Sequence, residues 1–241
     1  MSNTISAAVR SEAWLLGLAL AGGAVDAMSY LGLGKVFPAN MTGNTVLLAV
    51  DLARGTGVEA ARAAVALGGF CLGTALAVVA VPPHRLWPAR ARGPLLLEAC
   101  ALTALLVAWV VLGLTVRYPL IAVAGVAMGA QSVVVRASNV HGVNTTFITS
   151  TLVNAIARLV QRLRRTPASA DDPSLPSITW VTYGLGAVGG AFAVRAWQAD
   201  SVAIPLAIVA AITIAAWLPR RAAGRLMTSD PAYSGSPTDK E

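Results

Sequence analysis

Six runs of about 20 mainly apolar residues set what this chain can fold into. A helix that crosses a hydrocarbon core about 30 Å thick needs that length at about 1.5 Å of rise per residue. The runs are Trp14 to Leu33, Ala60 to Val81, Pro94 to Thr115, Pro119 to Val135, Ile178 to Ala196 and Val202 to Leu218. Only 12% of the 241 residues are charged, about half the share of a soluble domain. That leaves too little polar surface to cover a water-soluble globule. The expected fold is an all-α, polytopic membrane helix bundle with about six transmembrane helices. It forms a single membrane domain over residues 1–225, and the small, polar residues 226–241 read as a disordered tail. The first run carries Asp26 and is followed by further spans, so it reads as a retained helix rather than a cleaved leader.

The formal net charge is +7, which in a soluble protein would suggest nucleic acid. Here the basic residues sit in short stretches between apolar runs, where they orient membrane proteins and meet anionic lipid. Nucleic acid is therefore not an expected partner. Six spans put both termini on one side. With that side cytoplasmic, it collects Arg10, Arg85, Arg90, Arg92, Arg136, Arg158, Arg162, Arg164, Arg165, Arg220, Arg221, Arg225 and Lys240. Lys35, Arg54, Arg62, Arg117 and Arg195 fall on the other side. The asymmetry favours cytoplasmic termini. Trp14, Trp87, Trp180, Trp197 and Trp217 fall near span ends, where indole rings favour the headgroup level.

Two stretches, 36–52 and 141–160, are apolar enough to avoid water yet rich in Asn and Thr. Two readings fit: a re-entrant segment, or an amphipathic helix on the membrane surface. The second stretch carries Arg158, Arg162 and Arg165 on one helical face, with Leu152, Ile156, Leu159 and Leu163 on the other. That face suits the anionic lipid of a cytoplasmic surface.

The two halves, 13–115 and 119–218, repeat a weak pattern. Gly22, Asp26, Met41-Thr42-Gly43-Asn44, Gly69 and Gly73 are matched by Gly125, Gln131, Ile148-Thr149-Ser150-Thr151, Gly186 and Gly190. Three spans per unit would make this an inverted 3+3 repeat, with the two polar segments dipping from opposite sides. The Gly-x-x-x-Gly pairs permit close helix packing, within the chain or at a homo-oligomer seam.

Asp26 lies mid-span, where a carboxylate is costly and faces a partner or a wet cavity. It is either a structural polar contact or a proton- or cation-coupled group, with Arg136, Asn40 and Asn44 as candidate partners and Gln131 as its approximate counterpart. Glu98 sits one turn into its helix, within reach of Arg90 or Arg92. Thr42, Gly43, Asn44 and Thr45 form a polar turn that either caps a half-helix or offers amides to an anion or polar solute. The candidate substrate-binding set is thus Asp26, Asn40, Thr42, Gly43, Asn44, Gln131 and Thr149. Cys71 and Cys100 lie inside apolar runs and read as buried small hydrophobes rather than a disulfide. His84 and His141 are isolated, no metal or cofactor motif is present, and no catalytic signature appears. The chain does not read as an enzyme.

Gly23-Ala24-Val25-Asp26-Ala27, then Val36-Phe37-Pro38-Ala39-Asn40-Met41-Thr42-Gly43-Asn44-Thr45, then Gly129-Ala130-Gln131-Ser132 and Thr145-Thr146-Phe147-Ile148-Thr149 resemble the YoaK-like family of bacterial integral membrane proteins, a domain of unknown function. The resemblance runs to about Leu218. Ser132 stands where the family tends to carry Asn, and Ser150 where it tends to carry Gly. It implies a multi-span inner-membrane protein and supplies no substrate. The reading favoured by the residues is a small-solute permease or channel-like protein. The alternatives are a non-transporting membrane scaffold and a membrane-embedded lipid enzyme.

Overall fold

The computed structural model describes residues 2–82, 87–138, 148–163 and 175–218, and all their regular structure is helical. The tail expected at 226–241 lies outside the described residues. α1 (Ser2–Met28) runs on into a π-helical turn, Ser29–Gly34. A short α2 (Met41–Ala53) leads to α3 (Gly57–Val79), α4 (Arg92–Leu112) and α5 (Arg117–Ala137). α6 (Ile148–Leu163), α7 (Leu175–Trp197) and α8 (Ala203–Trp217) complete the bundle. Four continuous helical stretches are long and apolar enough to cross a membrane: Ser11–Gly34, Gly57–Val79, Ala89–Ala137 and Leu175–Trp217. The last two, at 49 and 43 residues, are each about twice the length one crossing needs. They break at Gly113 (φ 62°) and Gln198 (φ 45°), left-handed positions that end an α-helix. α1, α3, α4, α5, α7 and α8 thus occupy the six apolar runs.

The outer surface is apolar. Val79, Val111 and Phe192 are 86%, 71% and 70% exposed, which water would penalise and lipid does not. Cys71 and Cys100 also face outward, as free thiols, rather than being buried as expected. The helical turn decides this: Cys71 lies opposite the buried Gly69 and Gly73 of α3, and Cys100 opposite the buried Leu95, Leu102 and Leu105 of α4. Trp180, Trp197 and Trp217 are exposed near helix ends as expected, but Trp14 is buried against Trp87 (centroids 5.5 Å apart).

Two close crossings organise the bundle. A Cβ on Gly186 would stand 2.1 Å from the Leu20 carbonyl oxygen, and one on Gly190 2.6 Å from that of Ala24. α1 and α7 therefore run parallel in backbone contact. A Cβ on Gly69 would stand 2.3 Å from the Ala122 oxygen, and one on Gly73 2.1 Å from that of Val126. α3 and α5 are parallel in the same way. Both Gly-x-x-x-Gly pairs are thus consumed inside the chain.

The remaining contacts fix direction. Arg92 and Leu95 of α4 meet Ala216 and Thr213 of α8, an antiparallel pair. Gly32 abuts Trp109, while Gly22 lies by Gln131, which bonds Glu98. α1 and α4 therefore run parallel. The four-residue turn Gly113–Val116 folds α5 back on α4. Hence α1, α4 and α7 point one way, and α3, α5 and α8 the other. The segment 35–56 leaves α1 and enters α3 at the same end of the bundle, so α2 does not cross it.

Candidate functional site

The polar turn expected between the first two spans is built around two side chains. Lys35 takes a left-handed conformation (φ 63°), and the chain reverses into the bundle. Asn44, fully buried, holds this return like a strand partner. Its Oδ1 accepts from the Phe37 N–H (2.9 Å), and its Nδ2 donates to the Phe37 carbonyl (2.8 Å). Asn40 caps α2, its Oδ1 accepting from the Gly43 N–H at 3.2 Å. The Phe37 ring stacks on Tyr30, with centroids 4.9 Å apart.

Asp26 anchors the same turn from below. Its Oδ1 accepts from the Ala39 N–H and its Oδ2 from the Tyr183 hydroxyl of α7, both at 2.6 Å. Both oxygens are engaged by donors, and α2 begins two residues after Ala39. Arg136 and the amides of Asn40 and Asn44, the partners expected from sequence, do not bind it. Arg136 is exposed near the end of α5, and the two asparagines are spent within their own turn. Asp26 lies eight residues before Gly34, about 12 Å of helical rise. Because Ala39 reaches it, the chain dips back by roughly that distance before α2 climbs out. α2 therefore starts beside Asp26 and does not cross the bundle.

At the mouth of this dip, Tyr30, Gly34, Lys35, Leu47, Val50, Asp51, Arg54, Thr56, Glu59 and Ala63 line a cleft of about 370 Å³. Lys35 and Arg54 balance Asp51 and Glu59 in charge. Thr42 and Asn40 are exposed at the start of α2.

Gln131 is not part of this cluster. The α1/α7 and α5/α3 crossings share a register in which α1 and α5 differ by 102 (20 to 122, 24 to 126). That register sets Met128, not Gln131, opposite Asp26. Gln131 instead donates its Nε2 to Glu98 Oε1 at 2.8 Å. Glu98 is fully buried rather than paired with Arg90 or Arg92 at the surface. Arg92 is engaged elsewhere, donating to the Ala216 carbonyl (2.8 Å) and covering the Trp217 ring at 5.2 Å. The side chains of Thr149, Arg158 and Arg162, and all of Arg165, lie outside the described residues. α6 is helical as expected, with Val153 and Ile156 exposed and Thr151 buried.

Sequence reasoning missed Tyr183 as a partner of Asp26 and misplaced Glu98. A signal existed for Glu98: it shares a helical face with Leu95, Leu102 and Leu105, all buried. Among the described residues, no three His, Cys, Asp or Glu side chains converge as metal ligands would.

A family profile described as "Protein of unknown function (DUF1275)" matches residues 14–215. The chain belongs to the DUF1275 family. It is also similar to the "UPF0700 transmembrane protein YoaK" of Bacillus subtilis (strain 168), with 29% identity over 206 residues, 83% of this chain and 92% of that protein. No solved structure matches. Family membership and the apolar outer surface together make this DUF1275 protein a membrane protein.

Proposed function

We propose that this DUF1275 protein is a small-solute permease of the bacterial inner membrane, with both termini cytoplasmic. The observation that carries the reading is the half-helix α2, which begins at the depth of Asp26 and opens into the charge-lined cleft. Broken or half-length helices at mid-depth are how transporters bring polar backbone to a solute. The candidate binding set is Thr42 and Gly43 at the start of α2, held in place by Asp26, Asn40 and Asn44. Balanced charge around the cleft fits a neutral or zwitterionic solute.

The crossings support an inverted repeat of two halves, 13–115 and 119–218. The contacts of Gly23 with Tyr183 and Ala187 reappear as those of Gly125 with Ala66 and Phe70, under the same offsets of 102 for α1 and α5 and 117 for α3 and α7. Arg90, Arg92 and Arg136 gather at the end where α1 starts, which supports a cytoplasmic assignment for that end. The basic residues Arg158, Arg162 and Arg165 would then meet anionic lipid. Because both Gly-x-x-x-Gly pairs are used internally, the scaffold alternative loses its most obvious seam. A homo-oligomer would need another surface.

In proteoliposomes, stopped-flow light scattering should show faster entry of at least one of a panel of polyols and amino acids than in empty liposomes. Thr42→Trp, which fills the start of α2, should cut that rate at least tenfold. No protein-dependent entry of any panel member would reject the reading. Topology is checked in a protein with Cys71 and Cys100 replaced by Ser. A single cysteine at Thr42 should react with an impermeant thiol reagent only from outside, and one at Ala170 only from inside. Labelling of both from one side would break the inverted arrangement.

A further inference from the structure

The two buried acids differ in one respect. Asp26 has a donor on each oxygen, whereas Glu98 has a donor on one only. Its Oε1 accepts from Gln131, and its Oε2 is buried with no hydrogen-bond partner. Glu98 itself is 0% exposed. We propose that Glu98, positioned by Gln131, is a proton-binding site at the α1/α4/α5/α8 crossing and carries the coupling ion of the permease. The inference rests on that reading for its role in transport. The site itself rests on the geometry.

The surroundings exclude the usual ways of holding a charge. α5 presents the neutral Gln131 amide. α8 presents Thr213, whose hydroxyl serves the Val209 and Leu95 carbonyls. α1 presents Gly22, where a Cβ would stand 3.0 Å from Gln131 Oε1. The two charges of α3, Glu59 and Arg62, pair with each other at its far end (3.8 Å). Among the described residues no Lys, Arg or His forms an ion pair with Glu98. An ionised, unpaired carboxylate here would be strongly disfavoured. A metal cation would need several oxygen ligands, whereas a proton needs one lone pair, and Oε2 supplies it. The site is level with the middle of Ser11–Gly34, so a proton reaches water only if the crossing opens. Deprotonation creates the unpaired charge and drives that opening. The protonated acid fits the closed packing described above. Gly22 lets α1 approach closely enough to hold Gln131 against Glu98.

Infrared spectroscopy of the whole protein in lipid reads this directly through the C=O stretch of a protonated carboxyl. The wild-type spectrum should show such a band at acid pH, and the band should fade reversibly as pH is raised. Glu98→Gln, which preserves shape, should lose it. Gln131→Leu should keep the band but shift it to higher frequency, because its hydrogen bond to Oε1 is gone. Gly22→Ala should give a smaller shift in the same direction. A wild-type band that never changes with pH would make Glu98 a permanently neutral packing residue and overturn the proposal. So would a wild-type minus Glu98→Gln difference spectrum that contains no titrating carboxyl band. The spectrum is recorded without solute. A failed titration therefore leaves the permease reading intact with another coupling group, and failed solute entry leaves the proton site intact.

Discussion

Gly186→Ala is expected to take the α1–α7 seam apart. The new Cβ would stand 2.1 Å from the Leu20 oxygen and 2.8 Å from its carbonyl carbon. These are backbone atoms, so no rotamer change relieves the clash, and the helices must separate along their length. Gly73→Ala meets the Val126 oxygen at the same distance and should do the same to α3 and α5. Overpacking of this kind costs about 3 kcal/mol or more where the neighbour cannot yield. Thermal unfolding in detergent, followed by size-exclusion of the surviving fraction, should show a large fall in midpoint for both variants. Gly189→Ala is the control. It has open space around it and should be neutral or stabilising by about 0.5–1 kcal/mol, as expected of an unconstrained helical glycine. Equal destabilisation by all three substitutions would mean that the crossings are not the organising contacts.

Asp26→Ala is the second large effect. It strands the Ala39 N–H and the Tyr183 hydroxyl in the bundle interior. Each buried donor left unsatisfied costs about 1–3 kcal/mol, so a total near 3 kcal/mol or more is expected. Tyr183→Phe removes one bond, and bonds between membrane helices average less, so about 1–2 kcal/mol fits there. Combining the two should cost less than their sum, because they share one bond. A functional consequence separates clamp from bystander. When the turn is released, a cysteine at Thr42 should change its labelling rate several-fold in Asp26→Ala, while one at Asp51 should not. Unchanged labelling at both positions would remove Asp26 from any role in setting α2.

The spans could be read from composition because lipid imposes one rule. A run of about 20 apolar residues must be helical to satisfy its own backbone. The glycine spacing of Gly69-x-x-x-Gly73 and Gly186-x-x-x-Gly190 likewise announced close packing. It did not say against which helix, since a glycine carries no mark of its partner. The Asp26 and Asn44 pattern announced a polar turn. Its partners are not legible in sequence, because charge favours a group such as Arg136, whereas the true partners are a backbone N–H and a tyrosine 157 positions away. For Glu98 the sequence offers nearby arginines as a simpler pairing than the buried Gln131 it meets in the fold.

By itself, then, the sequence determined that this chain lives in a membrane as a helix bundle, where its crossings lie and that a polar turn follows the first span. Those follow from local composition and period. Only the tertiary structure decided that α1 packs on α7 and α3 on α5, that Gln131 serves Glu98 and not Asp26, and that one buried acid is fully satisfied while the other keeps a free oxygen. Pairing between residues far apart in the chain depends on which faces meet in space. A one-dimensional pattern fixes the faces and leaves their partners open.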